Sequence, residues 1–259
     1  MKTSLCFLLA LLTFVSVNVV VSEIAATDPI VVAKKISVQF YGEAACPFCR
    51  KFVEESWKEI WDDDELKGHI DFTFVPWGNA YFATEMCGKG PYNPSERACF
   101  YEKCITAETD DDKACFGGDP IYQHGKKEGQ VDIYESCILE DNGLDAAFAF
   151  TICAEGSDMD DDAMSAHEVM IECVPEGVDP TEVEECLNDR GRKLEIANAK
   201  RTPVHAGVPY VVVDSKPMDN PFDTKATVCK LLDQQGVRPS GCSSVDDAVS
   251  RLRSRVSNS

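Results

Sequence analysis

The tightest constraint in this sequence is four residues long: Cys46-Pro47-Phe48-Cys49, set between a stretch with strand patterning and one with helical spacing. Upstream, Ile36-Ser37-Val38-Gln39-Phe40-Tyr41 alternates and then turns apolar, as a buried strand does, and Gly42 ends it. Downstream, Phe48, Phe52, Val53, Trp57, Ile60 and Trp61 fall on one helical face. Asp62-Asp63-Asp64 and Gly68 punctuate the end of that helix, and Ile70-Asp71-Phe72-Thr73-Phe74-Val75 alternates again. Strand, helix and strand in this order predict a parallel pair joined by a right-handed crossover.

The place of the two thiols predicts their chemistry. At a helix N-terminus, unpaired backbone N–H groups and the helix dipole favour an anion, so Cys46 gains thiolate character. The thiolate is the attacking species in disulfide exchange, and Cys49, one turn on, can reach back to resolve a mixed disulfide. Pro47 suits the first helical turn because its missing N–H would have had no partner there. Cys46 is the candidate nucleophile and Cys49 the resolver. Such a dithiol needs no bound cofactor, only an external small-molecule thiol to re-reduce it. Two blander readings compete. Half of a zinc site would need another close Cys/His pair, and the chain has no second C-x-x-C, so no metal ligand is assigned. A purely structural disulfide would close a tight ring.

Thirteen cysteines in 259 residues are too many for a reducing cytosol unless they bind metal. Met1-Lys2 and the apolar run from Leu5 to Val21 predict a secretory signal over residues 1–22, cut before Glu23, with an uncleaved anchor as the alternative. Its removal takes Cys6 and leaves an even twelve. In an oxidising compartment Cys87, Cys99, Cys104, Cys115, Cys137, Cys153, Cys173, Cys186, Cys229 and Cys242 are expected in structural disulfides, with a pairing that sequence does not define. Forty-five acidic against 25 basic residues, a net charge of −20, oppose binding to nucleic acid or to an anionic membrane surface. No stretch after the signal is long and apolar enough to span a bilayer, and no N-x-S/T sequon occurs.

From Tyr81 to Ile121 the patterning dissolves into Gly, Pro and Asp with four cysteines, which predicts a disulfide-stapled loop that buries little apolar surface. Residues 131–200 read as a helical insertion: Ile133 to Leu139 running on to Leu144–Ile152, then Ala163–Cys173, then Thr181–Ala199 behind Asp179 as cap and Pro180. Tyr210–Val213 returns to a strand, Asp214-Ser215 to a turn, and Phe222–Leu232 to a closing helix, before a frayed Ser- and Arg-rich tail over 243–259. The fold class expected for residues 30–242 is α/β, a thioredoxin-like fold with a helical insertion and a stapled loop. In such folds a cis-proline just before a strand faces the C-x-x-C motif. Val208-Pro209 takes that place and is the expected substrate-binding pair, its backbone receiving an extended segment by strand addition.

Beyond the C-x-x-C motif, the chain carries Val75-Pro76-Trp77-Gly78-Asn79-Ala80, Gln123-His124-Gly125 with Glu128 and Cys137, Asp189-Arg190-Gly191, Ala197-Asn198-Ala199-Lys200-Arg201-Thr202 and Val208-Pro209-Tyr210. In this order the motifs resemble the gamma-interferon-inducible lysosomal thiol reductase (GILT) family from Ile36 to about Cys242. The resemblance implies a thioredoxin-fold enzyme that reduces protein disulfides in acidic endolysosomes, with disulfide-containing proteins as substrates. The family's cysteines flanking Gln-His-Gly are here Tyr122 and Gly129, its Asn is Asp132, and the stapled loop is longer. Their joint absence is what a shared bridge would leave. For the four loop cysteines two local bridges are expected. His124 is expected to be a turn residue, since no spacing places it beside Cys46. His167-Glu168, Asp110-Asp111-Asp112 and Asp158-Met159-Asp160-Asp161-Asp162 lack the patterns of zinc or calcium sites. A secretory-pathway oxidase or isomerase using the same motif, and a stapled binding protein, are the rival readings.

Overall fold

Strand β1 (Ile36–Gly42) is the centre of the molecule, burying Ile36, Val38 and Phe40 on the face that its alternation predicts. The computed structural model describes residues 34–107, 111–157, 159 and 164–243. The expected signal segment with Cys6, the tail from residue 244, and parts of both acidic runs lie outside the described residues. Helix α1 (Pro47–Lys51) passes directly into a π-helical stretch, Phe52–Trp57, and then into α2 (Lys58–Trp61). This segment buries Phe52, Val53, Ser56, Trp57 and Ile60. Phe48 departs from the expected apolar face: it is 65% exposed. The acidic punctuation after Trp61 folds into a short helix, α3 (Asp64–Gly68), whose cap Asp63 accepts from the Leu66 N–H at 2.8 Å.

Strand β2 (Ile70–Pro76) runs parallel to β1, with Phe74 opposite Phe40 and Pro76 opposite Gly42. Phe40 stacks on Phe74 and meets Phe52 and Trp57, at centroid distances of 4.6 to 5.5 Å. Each such ring pair adds about 0.5–1.5 kcal/mol beyond its area burial.

The segment after β2 is more ordered than its composition implied. Short strands β3 (Tyr81–Phe82) and β4 (Pro120–Ile121) pair antiparallel and close its ends. Between them lie α4 (Pro94–Phe100), a π turn over Tyr101–Thr106, and α5 (Asp112–Phe116), stapled by Cys87–Cys99 and Cys104–Cys115. Far from burying little, it contributes Tyr81, Phe82, Phe100, Tyr101 and Phe116 to a core shared with Trp77 and Tyr41.

Four helices follow: α6 (Lys126–Asn142), α7 (Leu144–Gly156), α8 (Ala166–Cys173) and α9 (Pro180–Arg201). The helical run expected from Ile133 to Ile152 breaks at Gly143, whose φ of +84° an L side chain rarely adopts. Asp179 caps α9 by accepting from the Thr181 N–H at 2.8 Å, ahead of Pro180. Cys137–Cys186 ties α6 to α9, and Cys153–Cys173 ties α7 to α8. The chain then returns to the sheet as β5 (Tyr210–Val213), antiparallel to β1, and β6 (Lys216–Pro217), antiparallel to β5. Asp214 and Ser215 both take positive φ in the tight hairpin between them. Helix α10 (Thr224–Gln234) packs Val228 and Leu232 into the sheet core, and Cys229–Cys242 joins its middle to the segment after it. Sheet order β2-β1-β5-β6 with one parallel pair, then a closing helix, is the thioredoxin-like arrangement, interrupted by the stapled segment and the four helices.

Candidate active site

The turn between β1 and α1 places the dithiol. Cys46 is the N-cap of α1 in extended conformation, Pro47 is the first helical residue, and Ala45 before them holds a left-handed φ of +64°. A non-glycine residue in that region is strained, and such strain collects at functional turns. The turn is anchored from the insertion: Asp132 on α6 accepts from the Ala44 N–H at 2.8 Å. Cys46 and Cys49 are free thiols, and the other ten described cysteines are all bridged. Cys46 is 5% exposed and Cys49 fully buried.

The two thiols have opposite electrostatics. Hydrogen bonding from the Cys49 thiol, then from His124 and from the N–H groups of Cys49 and Phe48, outweighs burial and brings the Cys46 pKa down to about 5. Burial, with the neighbouring sulfur and the carboxyls of Glu43 and Glu155, pushes Cys49 well above the ordinary thiol range. Arg50 contributes little to this contrast, because it pairs in solvent with Glu54 at 2.9 Å.

His124 is the residue that sequence spacing misplaced. Its ring lies beside Cys46, and the donor atoms of Glu43, Cys46 and His124 all fall within 4.8 Å of one another. Interaction with Cys46, and then with Glu43, raises the His124 pKa to about 10, so the pair stands as imidazolium and thiolate. Glu43 is 2% exposed; burial raises its pKa despite His124 Nε2 at 3.6 Å and the Asn79 N–H donating at 2.5 Å. Gly78, at φ +55°, is obligatory here, because a β-carbon would stand against the Glu43 carboxylate. The only advance signal for His124 was Glu128 four residues on, whose carboxylate accepts from the His124 N–H at 2.5 Å.

Further buried carboxyls lie behind the dithiol. Glu128, Asp132, Glu135 and Glu155 are each under 5% exposed, and burial raises all four pKa values, to about 9 for Glu128 and about 8 for Glu135. Glu155 and Cys46 line one small cavity of 70 Å³ together with Pro47, Arg50 and Met159. Where the resembling family has a pair of cysteines, the Tyr122 ring fills the space above Gly129, and a methyl on that glycine would fall inside the ring. Tyr122 also donates to Glu195 and meets Trp77 edge-on at 6.2 Å, so packing holds the His124 loop.

The Val208–Pro209 peptide is cis. Tyr210 pairs with Tyr41 in the sheet, so Pro209 sits at the end of β1 from which the dithiol turn departs, and Val208 packs on the cluster containing Cys46 and Cys49.

The chain is similar to known thiol reductases. The sequence profile of the family described as gamma interferon inducible lysosomal thiol reductase (GILT) matches residues 37–117, which include both thiols. A mouse gamma-interferon-inducible lysosomal thiol reductase is 28% identical over 229 residues, covering 86% of this chain and 78% of its own. An Arabidopsis thaliana gamma-interferon-responsive lysosomal thiol protein is 24% identical, covering 84% and 81%. Among solved structures, reduced DsbA from Mycobacterium tuberculosis aligns with a TM-score of 0.49 at 14% identity, over 86% of this chain and 93% of that one. Oxidised BdbD from Bacillus subtilis aligns at 0.48 and 15%, over 76% and 88%. With the profile on the dithiol and relatives along most of the length, the chain is similar to the gamma-interferon-inducible lysosomal thiol reductases, and its free dithiol in a thioredoxin-like fold is that of a thiol–disulfide oxidoreductase.

Proposed function

We propose that this protein reduces disulfide bonds in protein substrates, with Cys46 as nucleophile and Cys49 as resolving thiol. The Cys46 thiolate attacks one substrate sulfur, the substrate S–S bond breaks, and the released substrate thiolate takes a proton. Cys49 then gives up its proton and attacks Cys46 Sγ, releasing the second substrate thiol and leaving a Cys46–Cys49 disulfide. Two electrons have passed to the substrate, and a small-molecule thiol restores the dithiol by the same exchange. The observation that carries this reading is the opposed pair: Cys46 lowered to about 5, Cys49 raised and buried beneath it.

The same contrast supports work in an acidic compartment, reached through the secretory pathway and either endolysosomal or extracellular. At pH 5 about half of Cys46 is thiolate, whereas an ordinary thiol near 8.5–9 is ionised to about one part in several thousand or less. Val208 and Pro209 hold an extended substrate segment beside the thiol, and exposed Phe48 offers it an apolar contact.

Insulin reduction, followed at mildly acid and at neutral pH, tests the proposal. Activity favoured in acid and abolished by Cys46→Ser supports it, as does a mixed disulfide trapped by Cys49→Ser. Activity at neutral pH alone would indicate a secretory-pathway oxidase or isomerase. None at either pH would indicate a binding protein whose dithiol is structural.

A further inference from the structure

The three groups around the reduced sulfur form a donor set that sequence spacing did not disclose. Glu43 offers an oxygen, Cys46 a sulfur and His124 a ring nitrogen, all within 4.8 Å of one another. In a tetrahedral zinc site, bonds of about 2.1 Å to N and O and about 2.3 Å to S place the donors roughly 3.4–3.6 Å apart. His124 Nε2 and Glu43 Oε1 are already 3.6 Å apart.

Two of the three donors are also oriented from outside. The Glu43 carboxylate is fixed by the Asn79 N–H at 2.5 Å, and the Asn79 side chain is itself held by Gln123 Oε1 at 2.6 Å. The His124 backbone is tied to Glu128 at 2.5 Å. Partners of this kind orient metal ligands, and their loss commonly costs ten- to a hundredfold in affinity. His124 keeps a side chain 26% exposed, whereas the Glu43 side chain is fully buried, so His124 is the ligand that meets solvent.

We propose that the reduced protein binds one zinc ion through Cys46 Sγ, His124 and Glu43, and that the ion masks the nucleophile. A mixed S, N and O set suits zinc, which takes thiolate and imidazole together and has no redox chemistry of its own. The ion is not a cofactor of disulfide exchange, because it holds the sulfur lone pair that attack requires. Its binding displaces the proton shared between Cys46 and His124 and the one that buried Glu43 holds, both released to solvent, and no electron moves. Oxidation to the Cys46–Cys49 disulfide removes the thiolate and expels the ion, so occupancy follows the redox state of the dithiol. The site requires only that the dithiol be reduced, whatever substrate it serves.

The test uses the full chain, reduced with a phosphine and titrated with zinc chloride against a chromophoric chelator. Alkylation of Cys46 is followed on the same samples. One zinc per reduced chain is expected and none per oxidised chain, with alkylation slowed at least tenfold and restored by excess chelator. Cys46→Ser should abolish uptake, and His124→Ala and Glu43→Gln should each weaken it at least tenfold. Absence of uptake by the reduced chain would overturn the proposal, as would His124→Ala binding as tightly as the parent. Should Glu43→Gln lose its native circular dichroism, partly exposed His124 decides the matter alone. Zinc uptake is read without any disulfide substrate, so its failure is distinguishable from failure of the reductase reading.

Discussion

Replacing His124 with Ala should move the Cys46 thiolate, and with it the reduction potential. His124 is one of the hydrogen-bonding groups that bring Cys46 down to about 5, after the Cys49 thiol and beside two helix N–H groups. A hydrogen bond to a charged group is worth about 1.5–3 kcal/mol, and one pKa unit is about 1.4 kcal/mol. The variant's Cys46 is therefore expected about 1–2 units higher, at roughly 6–7. The effect on the couple follows from proton counting. Below the Cys46 pKa two protons accompany the two electrons, and the potential falls by about 59 mV per pH unit; above it one proton does, and the slope halves to about 30 mV. The parent line should break near pH 5 and the variant's one to two units higher. At pH 7 the variant should be more reducing by about 30–60 mV, while at pH 4 the two should coincide. Thiolate absorbance against pH gives the first quantity, and equilibration with glutathione buffers gives the second. Coincident lines at pH 7, or an unmoved thiolate titration, would refute the assignment of His124 to the thiolate.

Stability should also depend on pH. In the oxidised form neither thiol titrates, and six buried carboxyls, Glu43, Glu128, Asp132, Glu135, Glu155 and Glu195, have folded pKa values raised mainly by burial. Each holds its proton to higher pH in the folded state than in the unfolded chain, which releases it above about 4, so their stabilisation is full below that pH and is lost as pH rises through the raised folded values, about 8 for Glu135 and about 9 for Glu128. Buried His205, lowered by burial to about 4, acts in the opposite direction below pH 6.5. Tm should be higher at pH 5 than at pH 8 by about 5 °C or more, and an equal or lower value at pH 5 would contradict the account. Asp132→Asn preserves the acceptor for Ala44 without the need to hold a proton, and should raise Tm at pH 8 by at least about 3 °C with little change at pH 5. Gly129→Ala drives a methyl into the Tyr122 ring and should cost about 1–3 kcal/mol in denaturant unfolding. In a double-mutant cycle with Tyr122→Ala that cost should largely vanish; simple additivity would mean that the ring does not fill the glycine's place.

What could be read in advance was whatever has a period. β1, β2 and the helix between them announce themselves because Val38, Phe40, Phe72 and Phe74 alternate while Phe52, Trp57 and Ile60 recur at helical spacing. Helices α6 to α9 were legible for the same reason, and their division at Gly143 was not, because a single glycine does not reveal its φ. The segment from Tyr81 to Ile121 was misjudged: Tyr81, Phe82, Phe100, Tyr101 and Phe116 follow no period, and only the third dimension gathers them against Trp77. Phe48 followed the period and is nevertheless exposed, while Cys49 beside it is the residue of that turn that enters the sheet core. The dithiol was legible because both thiols lie within one turn of each other. The partners of Cys46 were not, because His124 arrives on another element and nothing local marks Glu43 as buried.

The placement of the five bridges governs how this molecule fails. Each closes a loop spanning 11 to 49 positions, and none has an end in the four-stranded sheet or in the helix that presents the dithiol. Two lie inside the stapled segment, two among α6 to α9, and one joins the middle of α10 to the segment after it. Scrambling or accidental reduction of any one slackens its own compartment and leaves the β1–β2–β5 frame without a broken crosslink. In a protein whose working chemistry attacks disulfides, the strands that carry Cys46 thus hold no bridge of their own to lose, and only Cys229–Cys242 packs on their core.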